Sequence, residues 1–465
     1  MTTTAFSSLP LTPEMLTNLR SLNYQTMTPI QAQSLPVVLE GKDLLAQAKT
    51  GSGKTAAFAL GLLHALETRT YRTQALVLCP TRELADQVSK EIRRLARAMP
   101  NTRVVTLCGG KPLGPQLASL KKHPHIVVGT PGRILKLLGK GALKLEALKT
   151  LVLDEADRML DMGFHEDIMH IIDSTPRHRQ TLLFSATYPD AIQEISHAIQ
   201  NDPVDIRVES THHNEHIKQV FYEIEKGERT RTLGTLLQHY RPESSLVFCN
   251  RKHQCQELAD ELWQQGFHAL ALHGDLEQKE RDQVLVQFAN KSSSILVATD
   301  VAARGLDIKD LQAVINFELS PDPEIHIHRI GRTGRAGNKG LAISLFMASE
   351  AKKVNAIEEY QDSPVSIDNI SSLKVPEHKT LENHKLSPAM VTLCINGGRK
   401  NKVRAGDILG ALTANTGLPG KQIGKIDIAD NHAYVAVARP VAKQALKILT
   451  EGKIKGRKFR VRKLR

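Results

Sequence analysis

The chain has 465 residues, 41% of them apolar and 24% charged, the balance of an ordinary water-exposed globular protein. No apolar run approaches the ~18 residues of a membrane-spanning helix, and the N-terminus "MTTTAFSSLPLTPEML" lacks a basic n-region and an apolar h-region, so neither a span nor a signal peptide is expected. The net charge is +13, and residues 388–465 hold seventeen Lys and Arg against four Asp and Glu, so the whole excess lies there and a polyanion is the expected partner.

Length allows roughly three domains of about 150 residues. Residues 1–208 carry "KDLLAQ", "ALVLC", "VVTLC", "HIVVG", "TLVLD" and "TLLFS", apolar runs each followed by a helix-compatible stretch. That is the pattern of doubly buried parallel strands in βα units. A second series, "SLVFCN", "HALALHG", "SILVAT", "AVINF" and "LAISLF", fills residues 217–362. Between them "RVESTHHNEHIKQ" (207–219) is polar and reads as a hinge, and residues 363–387 read as a linker. Cys79, Cys108, Cys249, Cys255 and Cys394 form no CxxC pair, and buried reduced thiols in a cytosolic protein fit best.

Polar clusters sit where the strands end. "PTRELA", "TPGR", "DEAD" and "SAT" follow strands of the first series; "HGD" and "TDVAARGLD" follow strands of the second. Ligands of parallel α/β sheets bind outside those carboxyl ends. "AKTGSGKT" (48–55) follows the first strand, and its glycines let backbone N–H groups approach phosphate. Lys54 is expected at the β and γ phosphates of a nucleotide and the Thr55 hydroxyl on Mg2+; Thr50, Gly51, Ser52 and Gly53 form the loop. Ala48 stands where the strict pattern has glycine. In "DEAD" (154–157) Asp154 is expected to hold Mg2+, and Glu155 to orient or deprotonate the attacking water. "HRIGRTGRAG" supplies Arg332 and Arg335 as arginine fingers. They belong to the second series, so joint action on one nucleotide requires lobe closure.

These motifs, in this order from Phe6 to about residue 360, resemble the DEAD-box RNA helicases of superfamily two. The resemblance implies two RecA-like parallel-sheet lobes. It makes "NYQTMTPIQ" (23–31) an adenine-reading motif, with Phe6 upstream, Tyr24 on the ring and Gln31 on its edge, so ATP is the expected nucleotide. Asn23 and Met27 depart from the usual Gly and Pro. The resemblance implies that Asp307 binds the ribose, and that Ser185, Ala186, Thr187 and His328 couple hydrolysis to lobe movement. It also implies an RNA track of Pro80, Thr81, Arg82, Gly109, Gly110, Thr130, Pro131, Gly132, Arg133, Gln278, Arg281 and Thr299. Hydroxyls, arginines and backbone N–H groups of this kind position a strand without reading its sequence.

Residues 388–465 read as βαββαβ, an RRM-like α+β module closing on "KFRVRKL". Ordinary RRMs stack bases on sheet aromatics, and here only Tyr434 is offered, so binding is expected from the loop Arg399, Lys400, Lys402 and Arg404 and from Lys458, Arg460 and Arg462. The tandem resembles, nearly end to end, a branch of the family whose module docks on a hairpin of 23S ribosomal RNA. That implies a cytoplasmic, monomeric, ATP-dependent RNA helicase acting in large (50S) subunit assembly. An ATP-gated RNA clamp with little strand separation is the alternative.

Overall fold

Short Val-, Leu- and Ile-rich runs form buried parallel strands in the computed structural model, which describes residues 4–48, 51–208, 217–303, 311–334, 339–373, 387–414 and 418–464. The chain divides into two compact units near residue 211.

The first unit holds β1 (Leu44–Gln47), β2 (Ala75–Leu78), β3 (Val104–Leu107), β4 (Ile126–Gly129), β5 (Thr150–Asp154), β6 (Gln180–Ser185) and β7 (Val204–Arg207). They form one parallel sheet in the order β3-β4-β2-β5-β6-β1-β7. Alternate side chains point to opposite faces. Val77, Val152, Leu182 and Phe184 therefore enter one core, and Leu76, Leu151, Leu153 and Leu183 the other. Helices cover both faces: α1 (Pro13–Ser21), α2 (Pro29–Leu39), α3 (Lys54–His64), α4 (Arg82–Leu95), α5 (Leu113–Leu120), α6 (Pro131–Gly139), α7 (Ala156–Asp161), α8 (His165–Asp173) and α9 (Asp190–Ile199).

In the second unit β8 (Ile217–Glu223), β9 (Ser245–Phe248), β10 (Ala269–Leu272), β11 (Ile295–Ala298), β12 (Ala313–Asn316), β13 (Gly340–Phe346) and β14 (Ile367–Asp368) form the parallel order β10-β11-β9-β12-β13-β8-β14. Renumbered from its own first strand, this is the order of the first sheet. Its helices are α10 (Arg229–Tyr240), α11 (Lys252–Gln264), α12 (Gln278–Ala289), α13 (Asp300–Ala303), α14 (Pro323–Ile330) and α15 (Ala351–Gln361). Two stretches read as connectors, 207–219 and 363–387, are partly folded. Ile217, Lys218 and Gln219, read as hinge, belong to β8. The start of the expected linker is folded: the Phe221 amide donates to Ser366, β14 extends the sheet edge, and Ile370 and Leu373 pack on the core.

The third body, within the second unit, is an antiparallel sheet of β15 (Met390–Ile395), β16 (Ile423–Ile428), β17 (Ala433–Ala438) and β18 (Val461–Lys463), in the order β16-β17-β15-β18. Helices α16 (Ala405–Thr413) and α17 (Ala442–Glu451) cover one face, where Leu393, Val435 and Val461 meet Ile408, Leu412 and Leu449. The other face lies against α12. Cys394, Tyr434 and Leu464 pack on Val286, and Thr392 accepts a hydrogen bond from Asn290 and shares one with the Ser292 hydroxyl. The basic face expected of the last strand is therefore mixed. Arg462 reaches Gln283 of α12, on the side where Leu464 is buried.

Candidate active site and RNA track

Strand β1 delivers the chain into a loop that only glycine can make. Gly51 (φ 87°) and Gly53 (φ 98°) are left-handed. A Cβ on Gly53 would also stand 2.5 Å from the Gln31 amide nitrogen. Ala48 continues the ladder, its N–H donating to Ser185, so that position needs no glycine. Lys54 opens α3 and is 6% exposed, its ammonium donating to the Ala48 carbonyl at 2.6 Å. The Gln31 amide donates to the Gly53 carbonyl, while its oxygen accepts from the Thr28 N–H at the start of α2. Tyr24 donates to Glu91 and meets the buried Phe6 edge-on at 5.9 Å. Burial and the Glu91 partner push the Tyr24 hydroxyl up, so it is a neutral donor. Asn23 adopts φ 62°. The family's glycine there serves that backbone, which Asn tolerates better than most residues.

Asp154 ends β5 and is 3% exposed. Burial pushes its carboxyl up to about 7, against the pull of Lys54. Glu155 is left-handed (φ 54°, ψ 53°) and pairs with buried Arg158 at 2.8 Å. Asp157 was not singled out in the sequence. Its Oδ2 accepts from the Ala186 and Thr187 N–H groups and from the Thr187 hydroxyl, at 3.1–3.2 Å. The acidic motif is thus tied to the "SAT" segment by its fourth letter. That letter was visible in the sequence, but its partner was not.

The candidate RNA residues of the first lobe converge at the strand ends. Thr81 caps α4, accepting from the Leu84 N–H. Pro80 precedes it, and Arg82 lies over Gly109 and Gly110, where a Cβ on Gly110 would stand 1.9 Å from the guanidinium. Thr130 precedes α6, Pro131 occupies its first turn with Gly132, and Arg133 donates to the Lys111 carbonyl. In the second lobe Gln278 starts α12, Arg281 donates to the His273 carbonyl, and Thr299 caps α13. Arg329, also not singled out, is a buried hub: it grips Asp300 twice at 2.7 Å and also bonds Asn250, Asn316 and the Glu318 carbonyl. It fixes α14, whose last turn holds His328 and after which Arg332 lies 6% exposed. Thr50, Asp307 and Arg335 lie outside the described residues.

Three family models match the chain: DEAD/DEAH box helicase over residues 28–195, helicase conserved C-terminal domain over 228–337, and DbpA RNA binding domain over 392–463. The ATP-dependent RNA helicase DbpA of Escherichia coli (strain K12) is 55% identical over 463 residues, 99% of this chain and 100% of that one. The chain belongs to the DbpA-type DEAD-box ATP-dependent RNA helicases. CshA of Geobacillus kaustophilus (strain HTA426), a DEAD-box ATP-dependent RNA helicase, is 44% identical over 356 residues, 76% of each chain. The solved structure of S. cerevisiae Dbp5 bound to RNA and ADP BeF3 aligns with a TM-score of 0.72 at 30% identity, covering 79% of this chain and 96% of that one.

In the RNA-binding module of this helicase, Tyr434 is 6% exposed beneath the α12 side and offers no open stacking face. The loop Arg399, Lys400, Lys402 and Arg404 is exposed, as are Lys458, Arg460 and Arg462. Arg399 also clamps the turn after β16 through the Ile428 carbonyl. Among the described residues no helix is long and apolar enough to cross a membrane.

Proposed function

We propose that this DbpA-type helicase is a cytoplasmic monomer directed by residues 388–465 to a hairpin of 23S ribosomal RNA, where it acts in 50S assembly. The observation that carries this is the +13 excess confined to a module that matches an RNA-binding family. Closure of its stacking face against α12 leaves the Arg399–Arg404 loop and the exposed cations of the last strand as the reading surface.

In this reading Tyr24 and Gln31 select adenine, and Lys54 with the Gly51–Gly53 loop holds the phosphates of ATP. The residues fit a magnesium ion, because Asp154 is a buried carboxylate that burial disfavours as an anion, and the pull of Lys54, the Glu155 backbone and Arg158 leaves its carboxyl still raised. Thr55 and Asp154 would hold Mg2+, which would neutralise charge on the phosphates of ATP. Glu155 orients or deprotonates the attacking water. Arg332 and Arg335 supply guanidinium charge to the transferring phosphoryl group. Asp157 passes the state of the acidic motif to Thr187.

The test is RNA-activated ATP hydrolysis with 23S fragments against poly(A), for the full chain and for Arg399→Glu/Lys400→Glu/Lys402→Glu. A strong preference for one ribosomal fragment, abolished in the variant, is expected. An equal response to every RNA would make the module an electrostatic anchor and remove the ribosomal assignment.

A further inference from the structure

Residues 1–387 are neutral in sum, yet the first lobe carries a one-sided strip. Between Glu91 and Glu146 there is no Asp or Glu, and there are eleven Lys and Arg, of which Arg94 pairs with Glu91 and Lys111 with Asp86 of α4. This stretch builds β3, the edge strand of the sheet, with β4 and α5 beside it, and then α6. Arg93 lies across that edge, donating to the Val104 carbonyl and the Thr106 hydroxyl. At one end of the strip is the Gly109–Gly110 turn under Arg82. At the other end, about 20 Å away for six extended residues, Arg103 sits 4.7 Å from the centre of the Tyr71 ring and donates to the Lys122 carbonyl. Tyr71 is 47% exposed, with the His125 ring 5.6 Å from it. Lys121, Lys122 and His123 are exposed where α5 ends. Among the described residues, neither lysine forms an ion pair.

A cation–π contact that merely pins the Tyr71 loop explains Arg103. It does not explain the missing carboxylates, the two lysines beside it, or an aromatic ring left half open. Cations around an exposed ring suit a single-stranded nucleic acid, whose phosphates take the charge and whose bases take the ring. We propose that the β3 edge is a second RNA-binding surface, continuous with the Gly109–Gly110 end of the track. It takes single-stranded RNA that runs beyond the track, with Lys121, Lys122 and Arg103 on phosphates and Tyr71 under a base. The proposal rests on RNA occupying that track.

The experiment compares the full chain with Lys121→Glu/Lys122→Glu and with Tyr71→Ala. ATP hydrolysis is activated by a short single-stranded RNA and by the same RNA extended by about ten nucleotides at either end, with activation read across a salt series. The short RNA should activate all three proteins alike. One extension should tighten activation of the unaltered chain roughly tenfold, and both variants should lose that gain. The lysine pair should also lower the salt slope by about 1.4, at ~0.7 for each phosphate of a single strand. A gain retained in both variants, or no gain from either extension in the unaltered chain, overturns the proposal. If the short RNA activates none of the proteins, the track reading itself fails, and the proposal with it.

Discussion

Glu155 is the residue on which local strain and chemistry meet. A left-handed non-glycine backbone costs on the order of 1–3 kcal/mol, and the Arg158 pair and the start of α7 hold it in place. Glu155→Gln keeps the shape and the bond to Arg158 but removes the proposed base. Turnover should fall by about 10²–10⁴ while ATP-dependent RNA binding persists; unimpaired hydrolysis in that variant would remove Glu155 from the mechanism. Asp154 gives a pH signature. With its carboxyl pushed up to about 7 by burial, protons compete with any cation it holds. Apparent ATP affinity with magnesium should therefore tighten from about pH 6 to about pH 8, nearing tenfold per unit at the acid end. Asp154→Asn should bind ATP more weakly and without that slope, and a titration at each pH decides it.

At the scale of elements, Asp157 joins α7 to the segment after β6. Asp157→Ala removes the acceptor of two part-buried N–H groups and a hydroxyl, at about 0.5–1.5 kcal/mol for each hydrogen bond lost. The Lys54 loop and the Glu155–Arg158 ion pair keep their side-chain contacts, and the Arg158 N–H, which loses Asp157 Oδ1, keeps the Glu155 carbonyl. Strand separation should fall much further than RNA-activated hydrolysis; parallel loss of the two activities would make Asp157 a purely structural residue. Elements also show how far the sequence could be read. The runs "ALVLC", "HIVVG" and "TLVLD" emerged as strands because helices bury both faces of their sheet, so their apolar pattern is continuous. β7, β8 and β14 were not read. β14 is two exposed residues long, and β8 mixes Lys218 and Gln219 with Val220 and Phe221. Such strands exist because a neighbour offers its ladder, which no local pattern records.

At the scale of the whole molecule, the RNA-binding module is not a free appendage. Its sheet seals against α12, the helix that starts with Gln278 and carries Arg281. Val286→Glu puts a carboxylate against Cys394, Tyr434 and Leu464, where desolvating a charge is costly. Amide exchange should rise together in Asn290–Ser292 and in β15, while the Leu393–Leu412–Leu449 core of the module stays protected. Exchange unchanged at both places would mean that the contact contributes little.

The sequence alone showed the glycine-rich loop, the acidic motif, the family's polar strand-end motifs and the basic module, because glycine spacing, strand-end carboxylates and charge are local properties. It also located the last strand. The tertiary structure decided what those residues do to one another. It set Gln31 against Gly53, tied Asp157 to Thr187, made Arg329 a hub, and turned the stacking face of the module and Tyr434 inward onto α12. Each of those contacts joins residues 11 or more positions apart in the chain, and only packing brings them within hydrogen-bond or van der Waals range.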